Sequence, residues 1–119
     1  MPQAAVTAAE QPWLARLANG VHMPNGETAR IQLSDLYHLI VDQRIWRKPE
    51  RIEQLLAGVI AIHEADRGRR QAFSRWEEAD VVLLGYAILE PDGRVRTMHL
   101  IDERRSERRR RRARLLWTL

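Results

Sequence analysis

The chain has 119 residues, which fits a single domain, and its 45% hydrophobic and 30% charged residues are ordinary for a soluble globular protein. It contains no cysteine, which excludes a disulfide scaffold, a thiolate zinc site and a cysteine nucleophile. No apolar run approaches the roughly 18–20 residues that a transmembrane helix needs. The N-terminal residues lack the basic and apolar regions of a signal peptide, so we expect a cytoplasmic protein.

The net charge of +4 is distributed unevenly along the chain. Residues 104–119 contain eight arginines and one glutamate, which leaves residues 1–103 with a net charge of −3. Nineteen of the twenty basic residues are arginine, whose planar guanidinium binds phosphate or carboxylate through two hydrogen bonds. Codon usage in a GC-rich genome accounts for that ratio but not for the clustering. A basic segment on a mildly acidic body predicts contact with a polyanion.

The first part of the chain predicts short elements separated by turns. Residues 1–11 are small and polar and are expected to be flexible. A short helix is predicted over residues 12–17, and a Pro-Asn-Gly turn predicts a small hairpin over residues 21–31. Ser34 is a suitable N-cap for a helix over residues 35–46.

The clearest periodicity runs from residue 49 to residue 66, where apolar residues recur at the i, i+3, i+4, i+7 spacing of an amphipathic helix. Pro49 fits the first turn of that helix. Ser74 and Glu77 have the spacing of a capping box, which predicts another short helix over residues 72–79.

The last third of the chain predicts a hairpin and a helix. The apolar run at residues 81–89 is followed by a Pro-Asp-Gly turn and by the alternating residues 94–101, so we predict a β-hairpin over residues 81–101. Asp102 is a suitable N-cap for a final helix that runs to about Trp117.

These elements predict an α+β domain of several short helices, with a β-hairpin in its C-terminal half and a basic C-terminal helix. We divide the chain into a small body, residues 1–103, and an arginine-rich C-terminal helix or tail, residues 104–119.

The arginine-rich segment is the first candidate site. Seven or more like charges on one segment repel one another, and such segments are often disordered until a polyanion neutralises them. Phosphate contacts give an affinity that is largely independent of sequence and that falls with salt. The candidate nucleic-acid contacts are Arg104, Arg105, Arg108, Arg109, Arg111 and Arg112, with Arg47, Lys48 and Arg70 as secondary contacts in two further basic groups.

A second candidate surface consists of apolar side chains next to basic residues. The chain ends in leucine and tryptophan, and one further tryptophan lies beside a basic group. Tryptophan is enriched where proteins bind partners. The candidate interface residues are Leu116, Trp117 and Trp46.

No motif fixes a chemistry. The four histidines have neither i, i+4 nor His-x-His spacing, so we predict no metal site and no catalytic residue. His63 and His99 fall among apolar residues and are expected to be core or interface histidines. No glycine-rich phosphate loop or dinucleotide fingerprint is present, and no cofactor is predicted.

Three functions fit these observations. The first is a small non-enzymatic protein that binds nucleic acid, DNA or RNA, or a nucleoprotein complex, with an order of helices and hairpin compatible with a winged helix. The alternative is a protein-interaction module, an inhibitor or adaptor of phage or mobile-element type, whose arginines dock on an acidic partner. The third is a small nuclease, which needs a histidine exposed beside an arginine cluster. No membrane contact is expected, because the arginines do not gather on one helix face, and the oligomeric state is left open.

Overall fold

The computed structural model of the chain describes residues 11–32, residue 35 and residues 49–119. Most of the predicted flexible segment 1–11 and all of the predicted helix 35–46 except Asp35 lie outside these residues. The same is true of three candidate site residues, Trp46, Arg47 and Lys48.

The described residues have a mixed α+β fold, as the sequence predicts. The helices in this part of the chain are α1 (Gln11–Asn19), α2 (Pro49–Ala57) and α3 (Glu103–Arg112). The strands are β1 (Val21–His22), β2 (Thr28–Ala29), β3 (Val59–Glu64), β4 (Arg70–Glu78), β5 (Val81–Leu89), β6 (Val95–Leu100) and β7 (Leu115–Thr118).

The main sheet has five antiparallel strands in the order β6-β5-β4-β3-β7. Strands β3 to β6 are sequential neighbours, whereas β7 returns to pair with β3 at the opposite edge from β6. The small β1–β2 sheet joins the main sheet at Arg30, whose carbonyl accepts from the Val95 amide at 2.7 Å.

The core lies on one face of the main sheet, under α1, α2 and the β1–β2 sheet. Three side chains of α2, Ile52, Leu55 and Leu56, are completely buried, and each contributes about 1.5–3 kcal/mol by leaving water. Helix α2 packs close to the sheet at Gly85 of β5, which has no side chain. A Cβ at this position would lie only 3.2 Å from a methyl group of Leu55. Alternate residues of the strands complete this core, including Ile62, Ala72, Ala87, Leu89 and Met98.

The long helix predicted over residues 49–66 is wrong, because α2 ends at Ala57 and β3 begins at Val59. The Gly58 amide donates to the carbonyls of Gln54 at 2.9 Å and Leu55 at 3.1 Å, which closes the helix. A Cβ on Gly58 would lie 2.6 Å from the carbonyl oxygen of Arg75, so the chain turns against the backbone of β4. The β-branched residues that follow the glycine fit a strand as well as an apolar helix stripe.

The helix predicted over residues 72–79 is also wrong, because these residues lie in β4. Ser74 is 4% exposed and faces Gly85 of β5 instead of capping a helix. Arg75 and Glu77 lie on one face of the strand and pair at 3.0 Å, as period-two alternation requires. A winged helix needs a third helix at this place, so that order of elements is not the one observed.

The final helix is shorter than predicted. It ends at Arg112 instead of Trp117, and the backbone at Ala113 is extended, with φ −126° and ψ 146°. The residues that follow form β7, where the Leu119 amide donates to the Ile60 carbonyl at 2.9 Å. The pairing of β7 with β3 therefore brings the end of the chain into the main sheet.

We expect Gly58→Ala to lower the free energy of unfolding by about 1–3 kcal/mol, because the added methyl group overlaps a backbone oxygen that cannot move freely. Denaturation in urea measures this loss. Arg75→Ala is the control, because it keeps the carbonyl and removes only an exposed ion pair, for about 0–1 kcal/mol. A Gly58→Ala midpoint equal to that of the parent chain would contradict the close approach of the two backbones.

Candidate functional site

Helix α3 crosses the face of the sheet that lies opposite the core. It connects the edge strand β6 to the edge strand β7, so it must pass over the strands between them. Four strand gaps of about 4.8 Å span about 19 Å, and ten helical residues span about 15 Å. The two short connectors cover the difference. Asp102 begins the helix by accepting from the Arg105 amide at 2.8 Å, and arginines occupy its last turn, where the helix dipole favours cations.

A row of four rings lies on this second face of the sheet. The ring centroids are 5.4 Å apart for His63 and Phe73, 5.3 Å for Phe73 and Tyr86, and 5.1 Å for Tyr86 and His99. Phe73, Tyr86 and His99 are directly opposite one another on β4, β5 and β6. Such cross-strand ring pairs stabilise a sheet and make its surface stiff.

Helix α3 is fastened to this row at several points. The guanidinium of Arg109 lies over the Tyr86 ring, 4.7 Å from its centroid, and donates to the Tyr86 hydroxyl at 3.4 Å. That hydroxyl donates in turn to Gln71 at 2.7 Å. At the end of the helix, His63 Nδ1 donates to the Ala113 carbonyl at 2.9 Å. Ser106 is the buried residue of the helix.

The environments of Tyr86 and His99 favour the neutral forms of these two rings. Burial raises the pKa of the Tyr86 phenol, and the nearby charge of Arg109 opposes this rise only in part. Burial also lowers the pKa of His99, and the charges of Arg109 and Arg105 lower it further. Both rings are therefore predominantly uncharged near neutral pH.

An open groove with a volume of about 870 Å³ lies between α3 and the sheet. Its helix side is made of arginines spaced i, i+3, i+4, i+7, which places them on one side of α3. Its sheet side combines polar and apolar side chains of β4, β5 and β6. We call the helix side the inner stripe, Arg105, Arg108, Arg109 and Arg112; the sheet side includes Gln71, Tyr86, Ile88, Arg96 and Thr97.

The other side of α3, which we call the outer side, has mixed charge. Helical spacing places both glutamates of the helix, Glu103 and Glu107, there with Arg104 and Arg111. Arg108 and Arg112 border this side as well as the groove. Glu107 pairs with Arg111 at 3.7 Å. The expectation that the arginines do not gather on one face is therefore incomplete, because the positions of the two glutamates distinguish a basic side of the helix from a mixed one.

The arginines of α3 differ from the other described arginines in how many of them pair with a carboxylate. Seven of the nine described arginines before residue 103 lie within pairing distance of a carboxylate. Of the eight arginines from residue 104 onward, three do. The arginines of α3 that have no carboxylate partner among the described residues are Arg104, Arg108, Arg109, Arg110 and Arg112.

The structure places the other candidate residues away from the inner stripe. Arg70 pairs with Glu27 and donates to the Glu90 carbonyl at 3.5 Å. Trp117 is half-buried against the core, and Leu116 is 42% exposed at the sheet edge.

Three arginines that line the groove, Arg69, Arg96 and Arg114, are not among the candidate contacts chosen from the sequence. Arg69 and Arg96 share Glu90 as a partner, at 2.5 and 3.6 Å, and hydrogen bonding from Arg69 lowers the pKa of that carboxyl group. Arg69 lies in the turn before β4 and Arg96 lies in β6, so these two residues are far apart in the chain and only the register of the sheet brings both to the groove.

The described histidines do not line the groove. His63 is buried, His99 stacks on Tyr86, and His22 contacts Thr28 in the small sheet. Within the part of the chain that the structure describes, no group of three or more histidine and acidic side chains is placed to hold a metal ion. Among the same residues, no helix is both long and apolar enough to cross a membrane.

Comparison of the chain with models of known protein families, with curated proteins and with solved structures finds no match.

We expect the double substitution Arg105→Gln and Arg109→Gln to raise the pKa of His99 toward its ordinary value, because two cations that oppose its protonation are removed. Titration of the His99 ring by NMR measures the shift. The matched control, Arg104→Gln with Arg111→Gln, removes the same charge from the outer side. An equal rise in both variants would contradict the orientation of α3.

Proposed function

We propose that the protein is a small non-enzymatic nucleic-acid-binding protein that holds phosphates on the arginines of α3. The observation that carries the proposal is that this helix bears five arginines without a carboxylate partner among the described residues. A helix whose arginines served only the fold would be expected to pair with the acidic body. These arginines instead leave their charge available to an external anion.

The order of the helix supports a binding role. Its start is capped by Asp102 and its end leads directly into β7, so its arginines are presented on a fixed scaffold. A fixed array loses less conformational entropy on binding than a flexible tail with the same charges. Arginine is also the residue that best matches phosphate geometry, because its planar group donates two parallel hydrogen bonds.

An acidic protein surface would meet the same arginines, and salt dependence with polymers of random sequence distinguishes the two partners. Nucleic acid binds with a log–log salt slope of about −0.7 to −0.9 per phosphate contact. If the partner is instead an acidic protein, we expect no binding to nucleic acid of random sequence. His99 lies near Arg105 and Arg109, but neither it nor another described histidine lines the groove, so we do not propose the nuclease.

We expect Arg108→Gln with Arg112→Gln to weaken binding to labelled nucleic acid about tenfold and to make the salt slope shallower by about 1.4–1.8, since two phosphate contacts are lost. Fluorescence anisotropy at several salt concentrations measures both quantities. The control is Arg16→Gln with Arg75→Gln, which removes two exposed arginines that pair with carboxylates.

Circular dichroism of both variants is the check that they are folded. Absence of binding by the parent chain to single-stranded and duplex DNA and RNA at low salt would overturn the proposed function. An equal loss in the control variant would show that only net charge matters and not α3.

A further inference from the structure

We propose that the groove between α3 and the sheet binds a single strand of nucleic acid, with its phosphates on the inner stripe; this inference rests on the proposed function and names its substrate class. The stripe and the sheet form the two walls of one concave site.

The first step is the separation of charge on α3. The inner stripe consists of four arginines, and neither glutamate of the helix lies on it. A phosphate chain on the outer side would pass Glu103 and Glu107, whose carboxylates repel it. The same chain in the groove meets the stripe. The groove lining also contains two carboxylates, Glu64 and Asp66, of which Glu64 is paired with Arg114 at 2.8 Å.

The second step is the shape of the site. A duplex carries its phosphates on a convex surface and is met by elements that protrude into its grooves. The inner stripe instead faces a concave space whose opposite wall is the sheet. A single strand is flexible enough to follow such a groove, and strongly basic grooves with planar stacking groups are typical of single-strand binding.

The third step is the length of the stripe. Arg105 and Arg112 are seven residues apart, which corresponds to about 10.5 Å along the helix axis. At about 3.4 Å per stacked nucleotide, this length matches about three nucleotides. The groove therefore suits a short stretch within a longer strand, and its ends remain open to the flanking nucleotides.

The fourth step is the position of Arg109. The Arg109 guanidinium lies over the Tyr86 ring, 4.7 Å from its centroid, and the side chain is exposed and lines the groove. Because the Tyr86 ring holds this planar group at the groove, we expect the guanidinium to be available to stack on a base. In this proposal Tyr86 is a positioning residue, and Arg109 contacts the nucleic-acid strand.

The main test compares single-stranded oligothymidylate and oligouridylate of about 12 nucleotides with a DNA duplex of the same length. We expect the parent chain to bind a single strand at least about tenfold more tightly than the duplex. Arg105→Gln with Arg109→Gln should weaken single-strand binding about tenfold, and Arg104→Gln with Arg111→Gln by less than about threefold. The two pairs are matched, because each contains one arginine with a carboxylate partner and one without.

The outcomes separate this inference from the proposed function. Tighter binding of the duplex, or an equal loss in the outer-side variant, would overturn the single-strand groove and leave phosphate binding by α3 intact. No binding of any polymer would overturn both. A preference between oligothymidylate and oligouridylate assigns DNA or RNA within the same site.

A second variant tests the stacking by Arg109. Arg109→Lys keeps the charge and loses the planar group, so we expect single-strand affinity to fall about two- to fivefold with an unchanged salt slope. Arg75→Lys is the control and should bind like the parent chain, because Arg75 lies outside α3 and pairs with Glu77. Arg109→Lys binding as tightly as the parent chain would overturn the stacking role.

Discussion

The arrangement of α3 depends on the pairing of β7 with β3. Strand β7 is fixed at both ends, by the Glu64 amide donating to the Arg114 carbonyl at 2.8 Å and by the Leu119 amide donating to the Ile60 carbonyl at 2.9 Å. Since β6 lies at the other edge of the sheet, the chain between the two strands has to cross the sheet. A segment tethered at one end only would carry the same arginines as a tail, and its like charges would favour disorder.

The pairing of β7 with β3 holds α3 in place against the mutual repulsion of its arginines. Like charges three or four residues apart destabilise a helix by about 0.2–0.5 kcal/mol per pair, and α3 contains several such arginine pairs. Its N-cap contributes about 1 kcal/mol, and the contact between Arg109 and Tyr86 contributes about 0.5–1 kcal/mol. An anion on the inner stripe relieves this repulsion, so ligand binding and the stability of the helix are coupled in the proposed function.

The sequence predicts the mixed class of the fold but not the boundary between helix and strand. Around Gly58 the apolar residues satisfy both periods, and the turn is decided by the approach of the Arg75 carbonyl, a contact between distant parts of the chain. Ser74 has the spacing of a cap, yet pairing with β5 buries it in a strand. Local patterns therefore fail at the places where the sheet determines the structure.

The candidate site is likewise predictable from the sequence only in part. The inner stripe follows from helical spacing and from the positions of the two glutamates, both of which are local features of the sequence. Its opposite wall does not, because Gln71, Tyr86 and Arg96 come from three strands and meet only through the register of the sheet. The basic character of the proposed site is therefore visible in the sequence, whereas the shape of the groove is a property of the fold.

The row of rings explains why arginine, and not an aromatic ring, is the stacking group in this proposal. Proteins that stack bases on sheet aromatics leave that face of the sheet open. Here α3 covers the face, and Phe73 and His63 are only 1% and 5% exposed. The rings instead form a stiff support beneath the helix, and Tyr86 transmits that stiffness to Arg109. The buried row and the basic helix therefore form one unit, in which the sheet positions the planar cation that we propose to contact the nucleic-acid strand.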